Sequence, residues 1–169
     1  MSSTARVDVK GNGAKLKAAL RKIAECGKVS LNVGFFEDAK YPDGTSVAYV
    51  AYLNEYGGHN PARPFMKQTA QKRMKTWAEG VAKNVKKTGV TPASVKRAFE
   101  MAGQVAVGDV KRTIKDWPPG GNAPSTVAAK ARRARSGKNL VPINPETVLI
   151  DTGKMISSVA YEVKTNGRT

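Results

Sequence analysis

The feature that most constrains this chain is a run of helical spacing about seven turns long. Thr91 and Pro92 supply an N-cap followed by proline at the first helical position. Val95, Phe99, Ala102, Val105, Val110, Ile114 and Trp117 then recur on one side, until Pro118-Pro119-Gly120-Gly121 stops the run. At 1.5 Å per residue the helix is roughly 39 Å long. A second long helix precedes it, with Met66, Ala70, Met74, Trp77, Val81 and Val85 on one side and bases on the other, running to about Lys87. Its apolar stripe reads most simply as core.

Shorter elements surround this basic helix pair. Val7 and Val9 alternate with polar neighbours as a short opening strand, followed by the turn Gly11-Asn12-Gly13. Leu16, Ala19, Leu20 and Ile23 predict an amphipathic helix over 14–25, capped at Gly27. Val29, Leu31, Val33 and Phe35 carry the period of two that marks a strand with one buried face. Pro42-Asp43-Gly44 is a turn, after which Thr45 or Ser46 caps a helix from Val47 to Tyr56 that ends at Gly57-Gly58. Residues 118–148 combine turn residues with the basic run Lys130, Arg132, Arg133, Arg135 and Lys138, and contain few large apolar groups to offset their conformational entropy. An extended basic arm that orders on a partner is expected there. Asp151-Thr152-Gly153 caps or turns into a short helix, and Val159, Tyr161 and Val163 alternate as a closing strand.

These elements predict an α+β fold: a small antiparallel or mixed sheet packed with several amphipathic helices, plus the long arm. The expected division is a core over 1–117, the arm over 118–148, and a helix and strand over 149–169 that complete the sheet. At 169 residues one domain is the default, and 40% hydrophobic content is enough for a sizeable core. No apolar run reaches the length of a membrane span or a secretory signal, so a cytoplasmic protein without membrane contact is expected. The single cysteine, Cys26, reads as a small buried apolar residue.

A formal charge of +16 is large enough to attract polyanions and to repel other copies of the chain. It belongs to the middle: residues 61–140 hold 18 basic and 4 acidic residues, whereas 1–60 hold 8 and 6 and 141–169 hold 3 and 3. Lys72, Lys75, Lys83, Lys86 and Lys87 oppose the apolar stripe, as on any solvated helix face. Together with Lys130, Arg132, Arg133, Arg135 and Lys138 they are also candidates for contact with DNA phosphates or an acidic protein. The arm has no interleaved aromatics, so base stacking is not encoded there, and no sequence-reading motif occurs.

Catalytic readings find little. His59 sits in a Gly-rich loop without a second histidine, a cysteine or a carboxylate at metal-ligand spacing. There is no phosphate-binding loop, and Gly11-Asn12-Gly13 lacks the third glycine of a dinucleotide fingerprint. Glu37 and Asp38 are adjacent in a turn, the usual setting of an exposed loop. No catalytic residue, metal or cofactor is expected.

Motif order carries a resemblance. Val33-Gly34-Phe35 is followed by Val47-Ala48-Tyr49-Val50-Ala51-Tyr52-Leu53-Asn54-Glu55-Tyr56-Gly57 and then by Pro61-Ala62-Arg63-Pro64-Phe65-Met66. Farther on come Trp117, Pro124-Ser125-Thr126, the basic run, and Leu149-Ile150-Asp151-Thr152-Gly153-Lys154-Met155 leading into Val159–Val163. The order resembles the neck and tail-completion family of tailed bacteriophages, the head–tail joining proteins that include those like minor tail protein Z. The long basic helix pair between the two matches departs from the family pattern.

The resemblance implies a virion protein without catalysis, a protomer of a homo-oligomeric ring, taken as a hexamer, at the head-proximal end of the tail. Its implied partners are other neck, connector and tail-terminator proteins, with genomic DNA passing through the bore. It implies structural roles for Asn54, Glu55 and Gly57 in closing a helix, for Arg63, Pro64 and Phe65 in entering the next, and for Asp151, Thr152 and Gly153 near the end. Arg63 is expected to pair across a subunit boundary. The competing expectation is a nucleic-acid-binding protein indifferent to sequence, which needs only the charge.

Overall fold

A computed structural model describes residues 17, 18, 20, 21, 24, 26–58, 60–137 and 144–165. The expected opening strand at Val7 and Val9, the Gly11–Gly13 turn, His59 and Lys138 lie outside them. The expected helix over 14–25 is described at 17, 18, 20, 21 and 24, all helical, with Leu20 56% exposed.

The order is β1 (Val29–Gly34), α1 (Val47–Tyr56), α2 (Phe65–Thr88), α3 (Pro92–Lys115), α4 (Pro124–Arg135), α5 (Lys154–Ser157) and β2 (Ala160–Thr165). The fold is α+β. Strands β1 and β2 form an antiparallel pair with Val29 opposite Thr165, Leu31 opposite Val163 and Val33 opposite Tyr161. Closing the sheet therefore joins residues 29–34 to the last described element.

Helix α3 is the hub, packed against α2 on one side and both strands on another. Its start is fixed by a reciprocal cap, in which the Ser94 amide donates to Thr91 Oγ1 and the Thr91 amide donates to Ser94 Oγ. Small residues set how near the sheet lies. A Cβ on Gly103 would run into the Tyr161 ring and reach Leu31 Cδ1 at 3.0 Å, so hydrogen is the only side chain this approach admits.

The core gathers at one end of the α2–α3 hairpin. Val47 and Ala51 of α1, Phe65 of α2, Val110 and Ile114 of α3, Val148–Ile150, Met155 and Val159 form one buried cluster. Phe35 meets Phe65 edge to face with ring centroids 6.1 Å apart. Between the long helices the contact turns polar: Thr69 Oγ1 bonds Thr113 Oγ1 at 2.7 Å, and Trp77 Nε1 donates to Asp109 Oδ2 at 2.9 Å.

Three expectations need correction. The stripe on α2 is core only in part: Met66 packs half-buried against the central cluster, Ala70, Trp77, Val81 and Val85 are half-buried, and Met74 is 61% exposed. Trp77 leans on α3 through its bond to Asp109, and Met74 is the outermost member of the stripe. The segment 118–148 is not an extended arm, because Pro124–Arg135 is helical and packs on the body. Pro124 at its first turn and alanines at 128, 129, 131 and 134 favour helix despite the lack of large apolar groups. Cys26 is half-buried rather than buried.

Candidate functional site

The family-like motifs converge on a brace where α1 hands over to α2. Helix α1 begins under Ser46, whose Oγ accepts from the Tyr49 amide, and ends at Gly57, whose φ of 86° places it in the region that favours glycine. A Cβ at Gly57 would also come within 3.2 Å of the Ala62 amide nitrogen. The chain turns back so that the Arg63 amide donates to the Asn54 carbonyl at 2.6 Å. Pro64, at φ −76° and ψ 63°, forms a tight three-residue turn closed by the Phe65 amide donating to the Arg63 carbonyl. Phe65 then drops fully buried into the core.

Glu55 explains how α2 starts. Pro64 occupies the cap position and has no side chain able to accept a bond, so the first amides of α2 need an acceptor from elsewhere. Glu55, only 9% exposed, provides both carboxylate oxygens: Oε2 accepts from the Met66 amide at 2.8 Å and Oε1 from the Lys67 amide at 2.9 Å. A carboxylate there also opposes the positive end of the helix dipole. Asn54 completes the turn, its Nδ2 donating to the Val50 carbonyl and its Oδ1 facing Arg63 Nη1 at 3.5 Å.

Arg63 is 8% exposed, and burial pushes its guanidinium pKa down. Among the described residues no carboxylate lies within ion-pairing distance of it. Lys130 of α4 is 3% exposed, and its Nζ donates to the carbonyls of Thr147 at 2.6 Å and Ile150 at 2.7 Å. Burial lowers its pKa; Asp151 acts the opposite way, and Arg133 and Arg63 add to the lowering. Lys130 thus fastens the segment before Asp151 to α4, and its place among the DNA-contact candidates falls because its charge is sealed inside.

Asp151, Thr152 and Gly153 adjoin the same brace. Asp151 Oδ2 receives Arg133 Nη1 at 2.7 Å with both side chains nearly half exposed. Thr152 Oγ1 accepts from the Lys154 amide, and Gly153, with φ 83°, leads into α5. Asn54 and Asp151–Gly153 share the lining of a cavity of about 90 Å³ with Tyr41. Burial, then Asp151 and Asp43, raise the Tyr41 hydroxyl pKa.

The remaining basic candidates stay outside. Lys72, Lys75, Lys83, Lys86 and Lys87 are exposed along α2, and Arg132 and Arg135 are exposed on α4. Lys72 borders a polar cleft of about 320 Å³ that also holds Arg73, Arg112, Asp109 and Asp116. Asp109 takes charge from both Arg73 and Arg112 at 3.4 Å.

One surface escaped the reading of the sequence. Tyr49, Tyr52 and Tyr56 are exposed by 58%, 58% and 69%, and their spacing of three and four places them on one side of α1. Tyr52 and Tyr56 touch, with ring centroids 4.8 Å apart. They border a groove of about 590 Å³ that includes Val33, Phe36, Met66 and Ala70. The signal was present as three tyrosines on the side of α1 opposite buried Val47 and Ala51.

Chemically the brace holds charge in fixed hydrogen bonds, and the groove offers an aromatic docking surface. Among the described residues no three His, Cys, Asp or Glu side chains cluster as metal ligands, and no helix is long and apolar enough to cross a membrane. Comparison of the chain with protein-family models, curated proteins and solved structures gives no match.

Proposed function

We propose that this chain is a structural protein of a tailed-phage virion, a neck or tail-completion subunit that joins tail to head by assembling into a ring around the DNA path, and that it performs no catalysis. The observation that carries the reading is the convergence of Asn54, Glu55, Arg63 and Phe65 on one brace, with Asp151–Gly153 beside it. These are the positions on which the family resemblance rests, and each does structural work. In this reading the ring is hexameric, its neighbours are connector and tail-terminator proteins, and the exposed lysines of α2 face either the DNA in the bore or an acidic neighbouring surface.

A second reading, a sequence-independent nucleic-acid binder, is favoured by one observation: among the described residues, only Lys75 of the six α2 lysines has a carboxylate within 4.0 Å, Glu79, and both are largely exposed. Light scattering at low and high salt, with and without duplex DNA, separates the two. The ring reading expects a closed oligomer of the 18.1 kDa chain without DNA. A monomer that gains mass only with DNA, and loses it at high salt, transfers the case to the binder.

A further inference from the structure

Among the described residues, two apolar surfaces stand uncovered, and their electrostatic borders are opposite. The first is the tyrosine groove. Its wall, Phe36, is followed directly by exposed Glu37 and Asp38, and Lys67 is the only base in its lining. One wall is the outer side of β1, whose described pairing is to β2 alone. Tyrosines suit such a surface, since they bring a large rigid contact area at small cost in side-chain entropy.

The second lies on the hairpin. Met101 and Val105 are 47% and 55% exposed and flank a shallow apolar hollow of about 120 Å³ with Trp77 and Ala102. Spacings of four, four and seven put Arg97, Met101, Val105 and Arg112 on one side of α3. Arg97 and Arg112 are exposed; Arg112 leans on Asp109 of its own helix at 3.4 Å, and among the described residues no carboxylate pairs with Arg97, which leaves that end of the patch with an unengaged guanidinium.

We infer that the groove of one copy receives the Met101–Val105 face of α3 from a second copy, with Glu37 and Asp38 meeting Arg97. This rests on the ring reading above and names its interface. Charge identifies the occupant. In a chain of +16, Glu37 and Asp38 form an exposed acidic pair beside an apolar groove, and the complement they require is an apolar patch with a guanidinium at its border. The chain carries that complement itself. Because groove and patch are different surfaces, the contact is head to tail. Such a contact leaves one free groove and one free patch on any open chain, so copies keep adding, and the ring reading requires that the rotation between them closes.

Tyr56→Asp and Val105→Asp test this in the full-length protein, each placing a charge in one surface at an exposed position. Circular dichroism and the thermal midpoint establish that both variants are folded. Alone, each is expected to fall from the wild-type mass to a monomer of 18.1 kDa. Mixed in equal amounts they are expected to form a 1:1 dimer and nothing larger, because the intact patch of one fits the intact groove of the other and both remaining surfaces are spoiled. Higher salt weakens that dimer through its ion pairs.

A single variant that keeps the wild-type mass overturns the interface, as does a mixture that stays monomeric. If wild type forms a closed oligomer while the variants keep its mass, only the interface fails and the ring reading stands. If wild type is monomeric at every concentration, both fail and the groove belongs to a different protein.

Discussion

The two halves of the α2–α3 hairpin use the same alternation of apolar and basic residues to different ends. At the core end, Phe65, Val110 and Ile114 are almost wholly buried, Thr69 and Thr113 bond each other, and Glu55 caps the start of α2. Toward the tip, α2 has no buried residue after Thr69, and Met74, Val90, Met101 and Val105 are about half exposed or more. One half is finished within the protomer. The other keeps apolar surface that a monomer gains nothing by showing, the condition expected of a face that a neighbour covers.

The largest effect is expected where the finished half depends on one side chain. Glu55→Ala removes two charge-assisted bonds and leaves the Met66 and Lys67 amides without an acceptor, at a cost of about 3 kcal/mol. Urea unfolding should show a lower midpoint with unchanged slope. A loss under about 1 kcal/mol would mean that water or another group replaces the carboxylate, and that the brace is not rigid. Gly103→Ala ranks next. The added methyl meets the Tyr161 ring and Leu31 where β2 and β1 cross α3, so overpacking of about 2 kcal/mol outweighs the helix propensity gained from alanine. Should thermal melts instead show stabilisation, the sheet sits farther from α3 than described.

The same contrast governs what the sequence makes legible. Long periodic runs with caps specify α3, and period-two alternation specifies β1 and β2, because in each the residues that pack are also the residues that repeat. Arg63-Pro64-Phe65 is legible as a helix entry for a similar local reason. Pro124 and the alanines of α4 favour a helix, but its docking on the body is not legible, because a buried lysine bonded to two carbonyls fixes it and charge counting assigns every lysine to solvent. The α2 stripe is half legible for the opposite reason: periodicity reports that a face is meant to be covered and is silent on how much of the cover belongs to the same chain, which leaves Met74 outside. Tyr49, Tyr52 and Tyr56 share that ambiguity.

Lys130→Met probes the link between α4 and the brace, and its effect is smaller because two terms oppose. Methionine keeps much of the buried stem and removes a desolvated charge, but leaves the carbonyls of Thr147 and Ile150 unpaired, for a net loss of about 1 kcal/mol. The pH dependence identifies the cause. Burial sets the folded pKa of Lys130 below its unfolded value, so between the two the unfolded chain binds more protons and this group's contribution to stability rises with pH. Wild type should therefore gain on the methionine variant as pH climbs toward the ordinary lysine pKa of about 10.4. Parallel curves through that window would show that Lys130 stays solvated.

Met74→Ser carries the smallest expected change and sharpens the comparison most. Were the α2 stripe packed within the protomer, deleting this side chain would cost about 3 kcal/mol, as for buried methionines generally. At 61% exposure it loses little, and protomer stability in dilute solution should move by less than about 0.5 kcal/mol. Chemical unfolding below the concentration at which copies associate measures this cleanly. A loss in the larger range would mean that another part of the same chain covers the tip, and that the unfinished half of the hairpin is completed from within.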